Sequence, residues 1–320
     1  YGCIPMPPHS AWEWMEQYSA IQLDSHFNEL SFEELRNELT NYVKDKYCPD
    51  ELEKVLQQRK KTALCPGKLV YSGSGYGSFK QYCREIENDR PLSEHLDYGE
   101  INDTQKIWAD FLNTGILKEP STEDVPGDFI CDDEIYRKLK GTIKSINCKN
   151  WYAYYHLGIL EFRKGNDKIA KEMYETSLKL QENAWALHGL ACLSIHEGNK
   201  NLAALYAQRG MELKRHCLSY QKEGLKILSQ CEAYRAILQQ YAVMDEDMKS
   251  IGRVQYYYAL GLVKTGRLEE ADKLLNSEEG IVVDDVREGE DSIQDLWEIL
   301  NHELYQDRAS LPYRYTFHAN

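Results

Sequence analysis

The chain lacks most of the marks by which a sequence announces a chemistry. No apolar run in its 320 residues approaches the ~20 that cross a bilayer, and no secretory leader is visible, so no membrane partner is expected. Basic residues are in deficit, 38 against 52 acidic, for a formal charge of −14. Nucleic acid is held by clustered cations that displace counterions, so it is not an expected partner either. The one basic run, Arg59-Lys60-Lys61, follows Glu51 and Glu53 on a predicted helix, where positive charge suits the C-terminal end. The nine cysteines are scattered, odd in number and without a Cys-x-x-Cys pair. That excludes a disulfide framework and predicts reduced thiols in a cytoplasmic protein. Neither a Ser-His-Asp order nor a nucleophile elbow nor a zinc-protease motif is present. No catalytic residue, cofactor or metal is expected from the residues given.

What the chain does have is a period. Gly165 and Ala170, Gly198 and Ala203, and Gly266 and Ala271 share one pattern, glycine and then alanine five residues on. Each pair sits between two amphipathic segments. The glycine frees the backbone for a tight turn, and the alanine lets the second helix approach the first. Gly165 and Gly198 are 33 residues apart, and Gly198 and Gly266 are 68 apart, which is two units of 34. A fourth, degenerate unit therefore belongs at 218–251. Glu232 stands there in the glycine's place, so its turn is expected to differ.

The units start near 151, 184, 218 and 252. The first resembles the tetratricopeptide repeat at Leu157, Gly158, Gly165, Ala170 and Tyr174. The second resembles it at Leu190, Ala191, Gly198 and Ala203, and the fourth at Ala259, Gly266 and Ala271. A last helix, Ser292 to Tyr305, carries Leu296, Trp297, Leu300 and Leu304 at helical spacing and reads as the cap of the stack.

Before Trp151 the signals are mixed. Residues 1–23 read as extended, with Pro5, Pro7 and Pro8 ahead of an alternating Trp12-Glu13-Trp14. A lone strand needs a sheet to pair with. Ser31 and Glu34 form a capping-box pattern ahead of one helix, and Pro49 suits the first turn of the next. The glycines Gly73, Gly75 and Gly77 precede Ser78, but the run lacks the Lys-Ser/Thr of a phosphate cradle and reads as a packed loop. A helix near 104–113 stops at Gly115, and another spans about 132–146 after a proline-containing connector.

The segments PPHSAWEWMEQYSAI, YSGSGYGSFK, RPLSEHLDYG, IVVDDVREGEDSIQDLW and LPYRYTF, in this order, resemble the C-terminal part of an uncharacterised bacterial family. In that family a β-sandwich similar to galactose mutarotase precedes tetratricopeptide repeats. The chain begins with Tyr1 rather than Met, and the resemblance implies that residues 1–23 are the last strand of a truncated sandwich. On this reading 24–150 are a helical linker region with a glycine-rich loop, 151–285 four repeats, and 286–320 a capping helix and tail. The expected fold is mainly α, a solenoid of helical hairpins with a short extended segment left over from the sandwich.

Candidate site residues follow from the repeat numbering. His188, Cys192 and His196 recur at every fourth residue of one helix and so share a face. They hold places that face the concave groove in the resembled family. Imidazole and thiolate suit zinc or copper, but two helical turns span about 12 Å, too far for one ion to touch both histidines. They are read as groove lining, not as a metal site. Tyr152, Tyr155, Ile159 and Phe162 of the first unit and Trp185 of the second extend the groove with rings that suit peptide side chains or sugar faces. Tyr155 and Ile159 replace the lysine and asparagine that clamp a C-terminal carboxylate in chaperone-binding repeats, so that partner class is not expected. Trp12, Glu13, Trp14, Tyr76, His95 and Asp97 are the residues expected to face the sandwich, where paired carboxylates would serve glycoside chemistry. The acidic run from Asp284 lacks EF-hand spacing. The resulting expectation is a non-catalytic scaffold that binds a protein or peptide in its groove and braces a carbohydrate-related sandwich. The alternative is a fragment of a carbohydrate-active enzyme, glycoside-acting or mutarotase-like.

Overall fold

The computed structural model describes residues 5–7, 10, 12–16, 18, 20–63, 65, 68, 70, 75–89, 98–144, 149–284 and 293–316. The chain divides into two compact units, Tyr1–Ile101 and Asn102–Asn320. No described residue lies in a strand.

In the first unit a short 3-10 turn, Ser25–Glu29, leads into α1 (Phe32–Lys46), α2 (Pro49–Ala63) and α3 (Tyr76–Ile86). The Ser31 hydroxyl accepts from the Glu34 N–H, and the Glu34 carboxylate accepts from the Ser31 N–H at 2.9 Å, so the capping box closes. Gly75 begins α3 at φ +82°. A Cβ on Gly77 would sit 2.3 Å from the Tyr98 ring, and the Ser78 hydroxyl donates to the Tyr98 and Gly99 carbonyls at 2.6 and 2.9 Å. This end of the glycine-rich stretch is therefore used to pack a neighbouring segment; Gly73 lies outside the described residues.

The expected terminal strand is not there. The described residues of 1–23 are neither helix nor strand, with Trp14 71% and Tyr18 87% exposed. An alternating Trp-Glu-Trp becomes a strand only when a neighbour takes its hydrogen bonds, and no described residue supplies one. The fold is all-helical where it is described. The resemblance to a sandwich-bearing, mutarotase-like family is thereby overturned, and so is a role in bracing such a domain.

The second unit is a solenoid of helical hairpins of the tetratricopeptide type. Its first helices are α6 (Trp151–Arg163), α8 (Ala184–His196), α10 (Leu218–Gln230) and α13 (Gly252–Lys264). Their partners are α7 (Asp167–Leu180), α9 (Lys200–Leu213), α11 (Tyr234–Val243) and α14 (Leu268–Leu275), with a single turn, α12 (Glu246–Lys249), after α11. Ahead of them lie α4 (Asp103–Thr114) and α5 (Asp133–Lys144). The stack ends in α15 (Ile293–Leu300) and a π-helical turn, Asn301–Tyr305.

The turn inside each hairpin is made the same way four times. Gly165, Gly198 and Gly266 sit at φ +76°, +76° and +80°. The next residue donates its N–H back across the helix end: Asn166 to Glu161 O, Asn199 to Ser194 O, and Arg267 to Leu262 O, at 2.8–2.9 Å. This is the Schellman arrangement, which needs a left-handed residue. The third unit does not differ, contrary to the sequence expectation. Glu232 takes φ +58°, and Ala233 donates to Leu228 O at 2.9 Å. Packing of α10 on α11 and α13 holds Glu232 in a conformation that a side chain disfavours.

Close approach between units rests on small residues. Tyr174 of α7 is 1% exposed and fits between Gly158 and Gly189, where an added Cβ would lie 2.6 and 2.5 Å from its ring. Tyr220 does the same at Gly210, and its hydroxyl donates to Ala184 O at 2.7 Å. One continuous apolar core runs from Ala184 through α15 to Tyr315. At the C-terminal end Trp297 Nε1 donates to Asn276 Oδ1 at 3.1 Å, and Tyr315 Oη donates to Leu275 O at 2.5 Å, fastening α15 and the tail.

Candidate binding groove

Consecutive first helices pack directly on one another, α6 on α8, α8 on α10 and α10 on α13. Their shared face is the inner face of the stack. Asn150 and Asn183 fix where α6 and α8 begin, each accepting an N–H from three residues on at 2.8 Å. That sets which side chains turn inward.

The aromatic set predicted for the first unit separates into two depths. Tyr152 is fully buried, and its hydroxyl accepts from the Gly127 N–H at 2.8 Å. Burial pushes its phenol up to about 12. It is a core residue rather than a groove residue, because the connector between α4 and α5 folds over it. The same connector is tied to the start of α6 and the end of α9. Glu119 accepts from the Trp151 N–H at 2.8 Å, Leu117 O accepts from Asn150 Nδ2 at 2.7 Å, and Glu123 lies 3.2 Å from Lys214 Nζ. Tyr155, Ile159 and Phe162 remain half-buried along α6, packed on Tyr174, Ala186 and Leu190. Burial raises the Tyr155 phenol, so it stays protonated at neutral pH.

On α8, Trp185 is half-buried beneath Lys214, whose ammonium lies 5.5 Å from the ring centroid, with Tyr220 edge-on at 5.6 Å. Its indole N–H is buried and finds no hydrogen-bond partner among the described residues. His188 lies 3.8 Å through Nε2 and 3.9 Å through Nδ1 from Cys192 Sγ, and its Nε2 is 3.6 Å from Glu223 Oε1. Burial disfavours a charged imidazole, but the Cys192 sulfur and the Glu223 carboxylate outweigh it and hold His188 well above its usual range. His196 stands apart from this pair. It is exposed at the last residue of α8, bonded through Nδ1 to Asp167 Oδ2 at 2.9 Å, with Phe162 edge-on at 5.7 Å. The three residues spaced along α8 are thus divided between two neighbourhoods. Among the described residues no group of three His, Cys, Asp or Glu side chains is placed to hold a metal ion.

No protein-family model, curated protein or solved structure matches this chain. What the inner face can do is therefore read from its own geometry.

Residues of the third and fourth units complete that face. Carrying the 34-residue lattice onward from His188 and Cys192 reaches Lys222 and Lys226, both half-buried on α10. Lys226 acts on Glu223, and His188 and Lys226 together hold that carboxylate below its ordinary range. One unit further, Tyr256 and Leu260 line a cavity of about 320 Å³ with Lys264, Asp295, Leu296 and Ile299 under α15. Lys222, Lys226, Tyr256 and Leu260 were not named from the sequence, although the lattice carries to them, whereas Glu223 and Tyr220 lie one residue off it and gave no signal in the sequence.

The residues expected to face a sandwich have other surroundings where they are described. Glu13 pairs with Lys60, and Trp12 and Trp14 are 43% and 71% exposed. Tyr76 opens α3 with its ring 6.4 Å from Phe79. His95 and Asp97 lie outside the described residues.

No helix among the described residues is long and apolar enough to cross a membrane.

Proposed function

We propose that the inner face binds a peptide segment of a protein partner, one that carries an apolar anchor followed by acidic residues. The supporting observation is the sequence of surfaces along the first helices. A half-buried apolar patch, Tyr155, Ile159 and Phe162, is followed by lysines of successive units, Lys222, Lys226 and Lys264. In a chain of formal charge −14, that run of cations favours an acidic partner and speeds its encounter. The apolar patch supplies the contact area that carries affinity. Helical hairpin stacks present such extended faces as a consequence of their repetition. The absence of a carboxylate clamp at Tyr155 and Ile159 leaves an internal segment, not a chain terminus, as the ligand.

The test is fluorescence anisotropy with a library of labelled peptides that vary the anchor and the number of acidic residues. Affinity should rise with acidic residues and fall in salt. Ile159→Asp should weaken the best binder at least tenfold, and Lys222→Glu should weaken acidic peptides more than neutral ones. Binding that ignores both substitutions would remove the inner face as the site.

A further inference from the structure

Cys192 is set apart by what surrounds its sulfur. Cys48, Cys65 and Cys131 are exposed, and Cys231 is buried. Cys192 is half-buried on the inner face with the His188 ring in front of it. Its near-equal distances to the two ring nitrogens place the sulfur across the ring, not in line with one N–H. An imidazolium spreads its charge over the whole ring, so this placement sets positive charge beside the sulfur rather than one directed hydrogen bond. Glu223 of the next unit comes within 3.6 Å of His188 Nε2 and favours the charged imidazole. Tyr155 from α6, Tyr174 from α7 and Tyr220 from α10 also surround Cys192, and burial keeps all three phenols protonated and neutral. Among these neighbours His188 is the one that brings charge to the thiol. Trp185, His188, Cys192 and Ile195 share one face of α8, so a group attached to the sulfur would stand in the groove.

We propose that Cys192 is a covalent-modification site, a thiol readied by the His188–Glu223 couple for exchange with a small disulfide. The Cys192 thiolate attacks one sulfur of the disulfide, and a new S–S bond forms as the old one breaks. The departing sulfur leaves as a thiolate with the bonding pair. The proton that Cys192 gives up passes to bulk water, and His188 keeps its own. Cys192 is oxidised to the mixed disulfide, and the departing half of the reagent is reduced. The proposal does not depend on the peptide reading, because its readout is chemical.

The experiment treats the full chain with glutathione disulfide at pH 6, where an ordinary thiol is only about 0.3% thiolate, and follows each cysteine by peptide mass spectrometry. Cys192 should form its mixed disulfide at least tenfold faster than the more exposed Cys48, Cys65 and Cys131. His188→Gln should bring it to or below their rate. Glu223→Gln, a half-exposed position whose substitution leaves the core intact, should slow it severalfold with the helical circular dichroism unchanged. A wild-type Cys192 that reacts no faster than the three exposed cysteines would overturn the proposal, as would a rate that Glu223→Gln leaves unchanged.

Discussion

His156 is 2% exposed and enclosed by rings. Trp108 lies edge-on at 4.6 Å, Tyr152 at 4.3 Å and Tyr155 at 4.8 Å. Its Nε2 is buried with no hydrogen-bond partner among the described residues. Burial alone pushes its proton affinity down to about 3, from an ordinary 6.5. Above pH 6.5 the residue is neutral in both folded and unfolded chains and contributes no pH dependence. Below it the unfolded chain takes up a proton that the folded chain refuses, so stability falls as pH falls, until the folded chain also binds near pH 3. At pH 5 the loss comes to about 2 kcal/mol. His188, with its proton affinity raised, has the opposite sign: its contribution is complete below 6.5 and declines as pH rises above it, equally in both proteins, so it cancels from the comparison below. Phenylalanine at 156 keeps a ring among the rings and removes the proton. Urea unfolding followed by circular dichroism at pH 7.5 and pH 5 should show the wild type losing about 2 kcal/mol more than His156→Phe, whatever constant offset the larger ring introduces. Equal losses in the two proteins would refute the reasoning, for they would mean that His156 gains its proton without leaving its ring cage.

Four further substitutions test the packing. Glu232→Gly replaces a side chain held at φ +58° by the residue the other three turns use, and should raise the melting temperature by about 2 °C despite the loss of the exposed Lys200 pair. Gly189→Ala drives a methyl to within 2.5 Å of Tyr174 and should cost about 2–3 kcal/mol in chemical denaturation, whereas alanine at Gly141, which meets nothing within 4 Å, should cost no stability. Glu161 is fully buried and accepts from Tyr136 at 2.8 Å and Asn166 at 2.7 Å, with Lys140 at 3.3 Å. Burial works to raise its carboxyl, but these partners hold it below the ordinary range. Glu161→Ala strands them and should cost about 3 kcal/mol, read as a lower urea midpoint.

The helical repeat was legible because its causes are local. A left-handed turn residue is a property of one position, and the alanine that follows it marks one close contact. Both recur at a fixed distance, so Gly165, Gly198 and Gly266 announced their hairpins. Glu232 shows the limit of that reading. Local propensity argued for a different turn, and the packed units on either side imposed the same one. The alternation at Trp12 to Trp14 misled in the other direction, since a strand exists only through a partner elsewhere in the chain.

For the candidate site the sequence offered positions and not contacts. Repeat numbering nominated Tyr155, Ile159, Phe162, Trp185, His188 and Cys192. It had no means of knowing that the connector carrying Gly127 would seal Tyr152, or that His196 would turn to Asp167 of the preceding hairpin. Nor did it offer Glu223 as the partner of His188, since that meeting joins two units. By itself the sequence determined which segments become helices and how often they reverse, since backbone geometry at a turn depends on the residue that stands there. Burial, pairing and proton affinity along the inner face were decided by tertiary structure, because each depends on what another part of the chain brings within a few ångströms.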